Sequence, residues 1–424
     1  MVIKLLEFIK EFLTNLNPDI IIQAPSRINL INPLDAVEGD FWMPSVAING
    51  ENDPLSAFLY IKKISNESRV KVYNIRKKHQ NYDFEIIKEE IFPKNKNDIK
   101  KKISGELKLI YASINRFLEM NSCFNHDFLN SNIELGFFTT IPKQSGLGGS
   151  TAIIIATIYG LAKYFNLYNN LTKLKENEFP INKDTIAEIA TKIEDEDLQI
   201  TAGYADRYVI SRGGLCFCSY YGKLNHQSLS MEPLAVYDRI DKVYKINTLP
   251  IIVCFSGVFH KSGDVHVRLR KLYLKKDPKI INGYLKLAEI SWKSRFAIMK
   301  QDWKLLGKYF KKNTEIMNQI MKSAGFEYGI GLANNILIRV IEEHPDVYAA
   351  KLTGAGGGGS VFALVNPDKK QEILNYWKRK LYEIIENNDI FHSKFPNFPS
   401  NIRLSLKNAK FYKIIIDRGG VKSF

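Results

Sequence analysis

Cysteine is scarce in this sequence, with four in 424 residues, at positions 123, 216, 218 and 254. They form neither a CxxC pair nor a disulfide framework, which excludes a stapled secreted scaffold and fits reduced thiols in a cytoplasmic protein. Long apolar runs are missing too. None approaches the length a membrane span needs, and the first residues lack a signal-peptide pattern because Lys4, Glu7, Lys10 and Glu11 interrupt the apolar positions. No internal repeat is visible. Acidic residues are outnumbered, 45 against 60 basic ones, for a net charge of +15. Such an excess suits a nucleic-acid or membrane-surface binder, or an enzyme that draws in polyanionic ATP. The lysines lie in short scattered runs (Lys62-Lys63, Lys77-Lys78, Lys100 to Lys102, Lys311-Lys312) rather than on one helix among aromatics. That distribution reads as a solvated surface and argues against nucleic acid.

What is present is globular: 45% hydrophobic, 12% aromatic and 25% charged residues. The length suggests two domains, or three. The spacing of Leu5, Ile9 and Leu13 predicts an amphipathic helix, followed by a short strand from Asp19 to Gln23 that ends at Ala24-Pro25. Further strands are expected at Leu55 to Ile64 and Ser68 to Asn74, a helix from Gly105 to Met120, and an alternating strand from Ser131 to Thr140. A helix from Asp184 to Glu196, capped by Asp184, precedes a strand Leu215 to Tyr220. The low-pattern stretch from Tyr221 to Lys245 marks the domain boundary, giving units 1–235 and 236–424. Beyond it come a strand Leu249 to Phe255, helices over Asp277 to Gln301, Trp303 to Lys322 and Gly331 to Glu343, and a strand Val361 to Val365. Strands and helices mix without strict alternation, so the fold class is α+β.

The most informative stretch is Ile141-Pro-Lys-Gln-Ser-Gly-Leu-Gly-Gly-Ser-Thr-Ala-Ile153. Gly146, Gly148 and Gly149 permit positive φ and close approach of backbone to a ligand, and the run Thr151 to Phe165 reads as a buried helix. The unpaired N–H groups and positive dipole end of such a helix would face an anion, phosphate above all. The bland alternative is a loop that only turns the chain. A second glycine loop, Lys351 to Ser360, leads into the strand Val361 to Val365, as the lining of a site or as a plain hairpin.

Taken together with Ala24-Pro-Ser-Arg-Ile-Asn-Leu-Ile31, these segments resemble the three motifs of the GHMP kinases, the superfamily of galactokinase, homoserine kinase, mevalonate kinase and phosphomevalonate kinase. Within it the chain is most similar to the glucuronokinase-type sugar kinases. Asn32-Pro-Leu-Asp35, Ile141 to Leu147 with Gln144, Ala202-Gly-Tyr-Ala-Asp-Arg-Tyr208 and Ser262-Gly-Asp-Val-His-Val-Arg268 carry that likeness. It departs at Gly149 and Thr151, where many relatives show Ser and Ala, and in the single residue between His266 and Arg268.

The resemblance implies a two-domain fold, with a ribosomal protein S5 domain 2-like N-terminal domain, a ferredoxin-like C-terminal domain and a site between them. It implies ATP and Mg²⁺ as cofactors, with Lys143, Ser145, Gly146, Leu147, Gly148, Gly149, Ser150 and Thr151 around the phosphates. Ser150 and Glu194 are the implied metal ligands, with Asp195, Glu196 and Asp197 close enough for that assignment to slip. Asp206 matches the catalytic carboxylate, as base or as orienter of the hydroxyl, and Arg27 its basic partner. Without the resemblance, Asp206 reads equally as a turn Asp and the acidic cluster as an exposed helix end. Asp35, Asp206, His266, Arg268, Gly356 and Gly357 are the candidate acceptor contacts, Arg268 because a guanidinium pairs a carboxylate bidentately.

The expected activity is ATP-dependent phosphorylation of a hydroxyl on a sugar or uronic acid, the anomeric one included, by a cytoplasmic monomer or homodimer. The alternatives are another acceptor (a galactose-like sugar, a heptose phosphate, inositol or a mevalonate-type compound) or a catalytically silent ligand sensor on the same fold.

Overall fold

The computed structural model describes residues 4–31, 42–78, 81–173, 180–201, 203–220, 235–259 and 262–424. Their strands are β1 (Ile20–Asn29), β2 (Met43–Gly50), β3 (Ser56–Lys63), β4 (Arg69–Lys78), β5 (Asn81–Ile91), β6 (Ile133–Thr139) and β7 (Leu215–Tyr220). After these come β8 (Ala235–Asp238), β9 (Ile251–Phe255), β10 (Val347–Thr353), β11 (Ser360–Val365), β12 (Lys410–Ile416) and β13 (Lys422–Ser423). They join in one sheet along the path β10-β11-β9-β12-β2-β1-β3-β6-β4-β5, with β13 on β1 and the β7–β8 pair on β2. Among the pairings of these described strands, only β4–β6 is parallel. Helices pack on this sheet, so the α+β reading holds.

β1 carries the first motif and runs further than its sequence suggests. Pro25, expected to end it, falls where the strand changes partner: Ile20 to Pro25 pair with β3, and Ser26 to Asn29 with β2. A proline costs no ladder bond at such a changeover, so the strand delivers Arg27 and Asn29 into the interior.

The helix Gly149–Tyr164 is apolar on nearly every face and packs against β1 and β3. The expected helix from Asp184 to Glu196 differs in two ways. Asn182, not Asp184, is the N-cap: its side chain accepts from the N–H groups of Asp184 and Thr185, and the Thr185 hydroxyl completes a capping box. The α-helix then stops at Lys192 and passes into a π-turn over Ile193–Asp197. Five-residue π-turns often mark functional sites, because the inserted residue re-aims the side chains that follow.

The segment after β12 returns to the middle of the molecule. The Asp417 carbonyl accepts from Gly214 N–H at 2.7 Å and the Ile210 carbonyl from Val421 N–H at 2.9 Å. Residues 417–421 thereby brace the helix Ala205–Arg212, which carries Asp206. No helix of the described residues is long and apolar enough to cross a membrane, and all four cysteines are free thiols.

Candidate active site

The first glycine loop is pressed between two other parts of the chain. Gly146 and Gly148 take φ values of +72° and +80°. A Cβ at Gly148 would stand 2.9 Å from Ile210 Cδ1 and 3.2 Å from Arg27 Cγ, and one at Gly146 would stand 2.8 Å from the Thr353 carbonyl oxygen. Glycine is therefore required by both conformation and space. Gly148 is the N-cap of the helix Gly149–Tyr164, and no side chain caps the first-turn N–H groups. The positive end of that helix stays available to an anion. Around it Lys143 is exposed, Ser145 and Leu147 are buried, and Ser150 is exposed beside buried Thr151.

Asp206 enters from the first turn of the helix Ala205–Arg212. Its Oδ1 accepts from Arg27 Nε at 2.6 Å and from Asn29 Nδ2 at 2.9 Å, and its Oδ2 accepts from Arg27 Nη2 at 2.5 Å. Arg27 also donates to the Gly146 carbonyl, tying the carboxylate to the glycine loop. Asn29 is held by Ser45 Oγ, 2.9 Å from its Oδ1, and its N–H donates to Thr353 Oγ1 at 3.2 Å. Burial acts to raise the Asp206 pKa, but the Arg27 guanidinium, aided by Arg207 and Asn29, overrides it and holds the carboxyl well below the usual range. A depressed carboxylate contributes its full stabilisation above the unfolded value of about 3.9 and loses it as pH falls through the lower folded value. The profile of kcat/KM against pH should therefore show no acid limb from Asp206 down to about pH 4. In Arg27→Gln, where burial faces weaker opposition, an acid limb should move up into the measurable range.

Glu194 is the first acidic residue of the π-turn and is 1% exposed. Its Oε1 accepts from Ser150 Oγ at 2.8 Å, and its Oε2 from Thr151 Oγ1 at 3.0 Å and Arg207 Nε at 2.7 Å. The other three acids of the turn are directed elsewhere. Asp195 meets Arg270 at 3.1 Å, Glu196 meets Lys192 at 2.7 Å, and Asp197 meets Arg116 at 2.6 Å. Burial raises the Asp197 carboxyl and outweighs Arg116, whereas at the more exposed Glu196 burial loses to Lys192 and Arg116 and the pKa falls. Only Glu194 among the four thus reaches the helix start at Ser150. A cleft of about 710 Å³ lies beside this turn, lined by Lys100, Lys101, Lys108, Glu119, Glu196 and Asp197 among others.

The second glycine loop is the connection of the antiparallel pair β10–β11, so it is a hairpin and also a wall of the site. A Cβ at Gly354 would stand 3.0 Å from Gly146 Cα. Gly356 is buried against Met321, and exposed Gly357 donates its N–H to the Ile330 carbonyl at 2.7 Å. His266, half buried, and Arg268, exposed, lie on the helix Ser262–Leu274, which Arg270 joins to the π-turn. Arg268 covers the Phe326 ring at 5.1 Å and forms no ion pair with a described residue. Asp35 lies outside the described residues.

Sequence reasoning gave no role to Asn29, Arg207, Arg116 or Arg270. Arg207 had a usable signal, since it directly follows Asp206 in Ala-Gly-Tyr-Ala-Asp-Arg. Arg116 and Arg270 had none, because they come from distant helices.

Residues 108–214 match the family model of the GHMP kinases N terminal domain, and residues 295–383 that of the GHMP kinases C terminal domain. The chain is 24% identical over 285 residues to the D-glycero-alpha-D-manno-heptose 7-phosphate kinase of Campylobacter jejuni, covering 65% of this chain and 72% of that one. It is 27% identical over 242 residues to the probable glucuronokinase 2 of Arabidopsis thaliana, covering 57% of this chain and 59% of that one. Lactococcus lactis galactokinase, solved with galactose, superposes with a TM-score of 0.62 at 15% identity, over 98% of this chain and 99% of that one. The chain carries the N-terminal and C-terminal domains of the GHMP kinases, and its relatives and structural neighbours are kinases, phosphotransferases with an alcohol group as acceptor.

Proposed function

We propose that this protein transfers the γ-phosphate of ATP to a hydroxyl of a sugar or sugar acid, an acidic sugar being the preferred acceptor. The observation that carries the reading is the convergence of two oxygen-bearing pairs, Ser150–Glu194 and Arg27–Asp206, on one uncapped helix start. Phosphoryl transfer asks for positioning and charge neutralisation at such a point. The loop Ser145 to Thr151 cradles the phosphates with its N–H groups, and the lysine-lined cleft beside the π-turn, within the size range of ligand pockets, receives the nucleoside.

The donor set at Ser150 and Glu194 fits Mg²⁺. Two oxygens at right angles on that ion, each at about 2.05 Å, stand about 2.9 Å apart, and Ser150 Oγ and Glu194 Oε1 stand 2.8 Å apart. Among the described residues no group of three His, Cys, Asp or Glu side chains could hold a metal. Two protein oxygens beside phosphate and water match how Mg²⁺ is usually held. When bound, the ion supplies charge neutralisation to the phosphates. Asp206, with both oxygens already accepting, is a weak base. It orients the acceptor hydroxyl and takes its proton late, while Arg27 faces the transferring group.

Residues 1–235 form the nucleotide-binding unit in this proposal and 236–424 the second domain, with residues 417–421 returning to brace the first. The four free thiols support a cytoplasmic setting. Asp35, His266, Arg268 and the glycines at 356 and 357 contact the acceptor. Arg268 has its planar fork free of any ion pair with the described residues, which suits an acidic group on the acceptor.

The test is turnover of ATP against a panel of neutral sugars, uronic acids, sugar phosphates, polyols and mevalonate. A uronic acid should exceed its neutral counterpart by a large factor, since a site built to pair a charged group rejects an analogue lacking it. Arg268→Lys, which cannot reproduce the bidentate fork, should erase much of that margin. Equal rates on the neutral sugar would remove the acidic acceptor. A heptose phosphate is the second reading, favoured by the Campylobacter relative and by the same Arg268 fork, which pairs phosphate as well. No turnover on any member would promote the silent sensor.

A further inference from the structure

The two oxygens of Glu194 are not equivalent. Oε2 accepts from three donors, Arg207 Nε at 2.7 Å, Arg207 Nη2 and Thr151 Oγ1 at 3.0 Å, while among the described residues Oε1 meets only Ser150 Oγ, at 2.8 Å. Arg207 is itself fixed: it is 6% exposed, and its Nη1 donates to the Gly203 carbonyl at 2.7 Å. Its Nη1 also stands 3.8 Å from Asp206 Oδ2. The guanidinium cannot swing off Oε2 without leaving its own carbonyl partner and entering a packed interior.

We propose that Arg207, with Thr151, is a metal-selectivity device that masks Oε2 and confines Glu194 to one-oxygen ligation through Oε1. The inference rests on the metal role given above to Ser150 and Glu194. Its chemistry is that of the two common hard cations. Mg²⁺ takes single oxygens in a tight octahedron, whereas Ca²⁺ prefers more oxygens and readily takes a glutamate through both. A carboxylate with one oxygen occupied by a guanidinium offers the first ion what it needs and denies the second its extra ligand. Arg207 also sits between the metal carboxylate and Asp206, so a cation that drew on both oxygens of Glu194 would displace the neighbour of the catalytic carboxylate. The residue acts through Glu194 and is a positioning residue.

The experiment is calorimetric binding of Mg²⁺ and of Ca²⁺ to the full chain in the presence of a non-hydrolysable ATP analogue, for wild type, Arg207→Gln and Thr151→Val. The ratio of Ca²⁺ to Mg²⁺ affinity should rise in Arg207→Gln by about tenfold or more, the scale on which a ligand's own partners alter metal affinity. Thr151→Val, which removes one of the three donors and keeps Arg207, should shift the ratio in the same direction by less. Should Arg207→Gln fail to fold, the Thr151→Val ratio and Arg207→Lys, which keeps the charge but not the fork, decide between the outcomes. An unchanged ratio in the folded variants, with Mg²⁺ still binding the wild type, overturns the proposal and leaves the kinase reading intact. Absence of Mg²⁺ binding by the wild type, or its indifference to Glu194→Gln, sinks the metal reading itself.

Discussion

Asp206→Asn should lower kcat by about 10²–10⁴-fold, the worth of a positioned proton acceptor, with the affinity for ATP nearly unchanged. The amide keeps the shape of the carboxylate and part of its bonding to Arg27, so the loss falls on the chemical step. Asparagine also withdraws the negative charge that Arg27 faces, but the guanidinium stays tied to the Gly146 carbonyl, so any gain in ground-state phosphate binding is small beside the kinetic loss. Single-turnover rates together with equilibrium ATP binding separate these effects. A fall of less than about tenfold would restrict Asp206 to positioning, and a collapse of ATP binding would show that the residue serves the nucleotide instead.

The second large effect is expected of Glu194→Gln, through two routes. As a ligand, the amide should raise the Mg²⁺ concentration for half-maximal activity by about 10–100-fold. As one half of a buried ion pair, its side chain 1% exposed against 7% for that of Arg207, it takes from the guanidinium its nearest carboxylate and leaves only Asp206 at 3.8 Å, and breaking such pairs typically costs about 3–5 kcal/mol. Denaturant titration measures the second route and activity against Mg²⁺ the first. Glu196→Gln is the control, since that carboxylate is 42% exposed and paired to Lys192 and Arg116. If Glu196→Gln moves the metal requirement and Glu194→Gln does not, the turn presents a different carboxylate from the one assigned.

Much of the glycine-loop end of the site was legible in the sequence because its parts are local. A glycine loop ahead of an apolar run is a property of consecutive residues, and the structure gives Gly146 and Gly148 the positive φ that such a loop needs. The register of the acidic cluster was less legible. Four acids in a row leave open which of them meets Ser150, and the choice is made by a π-turn whose insertion no helical periodicity announces. Of the partners of the other three, Lys192 stands four residues before Glu196 and was readable from local spacing, whereas Arg116 and Arg270 come from helices distant along the chain, so nothing local could assign them. β1 was read too short for a similar reason. Pro25 is a breaker by propensity, and only the exchange of β3 for β2 makes it harmless. The His266–Arg268 helix was found by likeness alone, and its distance from the first three motifs along the chain explains why the acceptor is the least constrained part.

The return of residues 410–424 has a consequence for how the molecule is made. β12 lies between β9 and β2, and the stretch after it holds the helix of Asp206. On the ribosome, the glycine loop, Arg27 and Asp206 emerge long before that segment does. Until then the end of β2 from Ile48 to Gly50, beyond the stretch that β7 covers, lacks its β12 neighbour, an unpaired strand edge of the kind that invites pairing with other chains. Nascent chains should therefore depend on chaperones through most of synthesis and acquire nucleotide binding late, in one step, rather than as an early-folding unit.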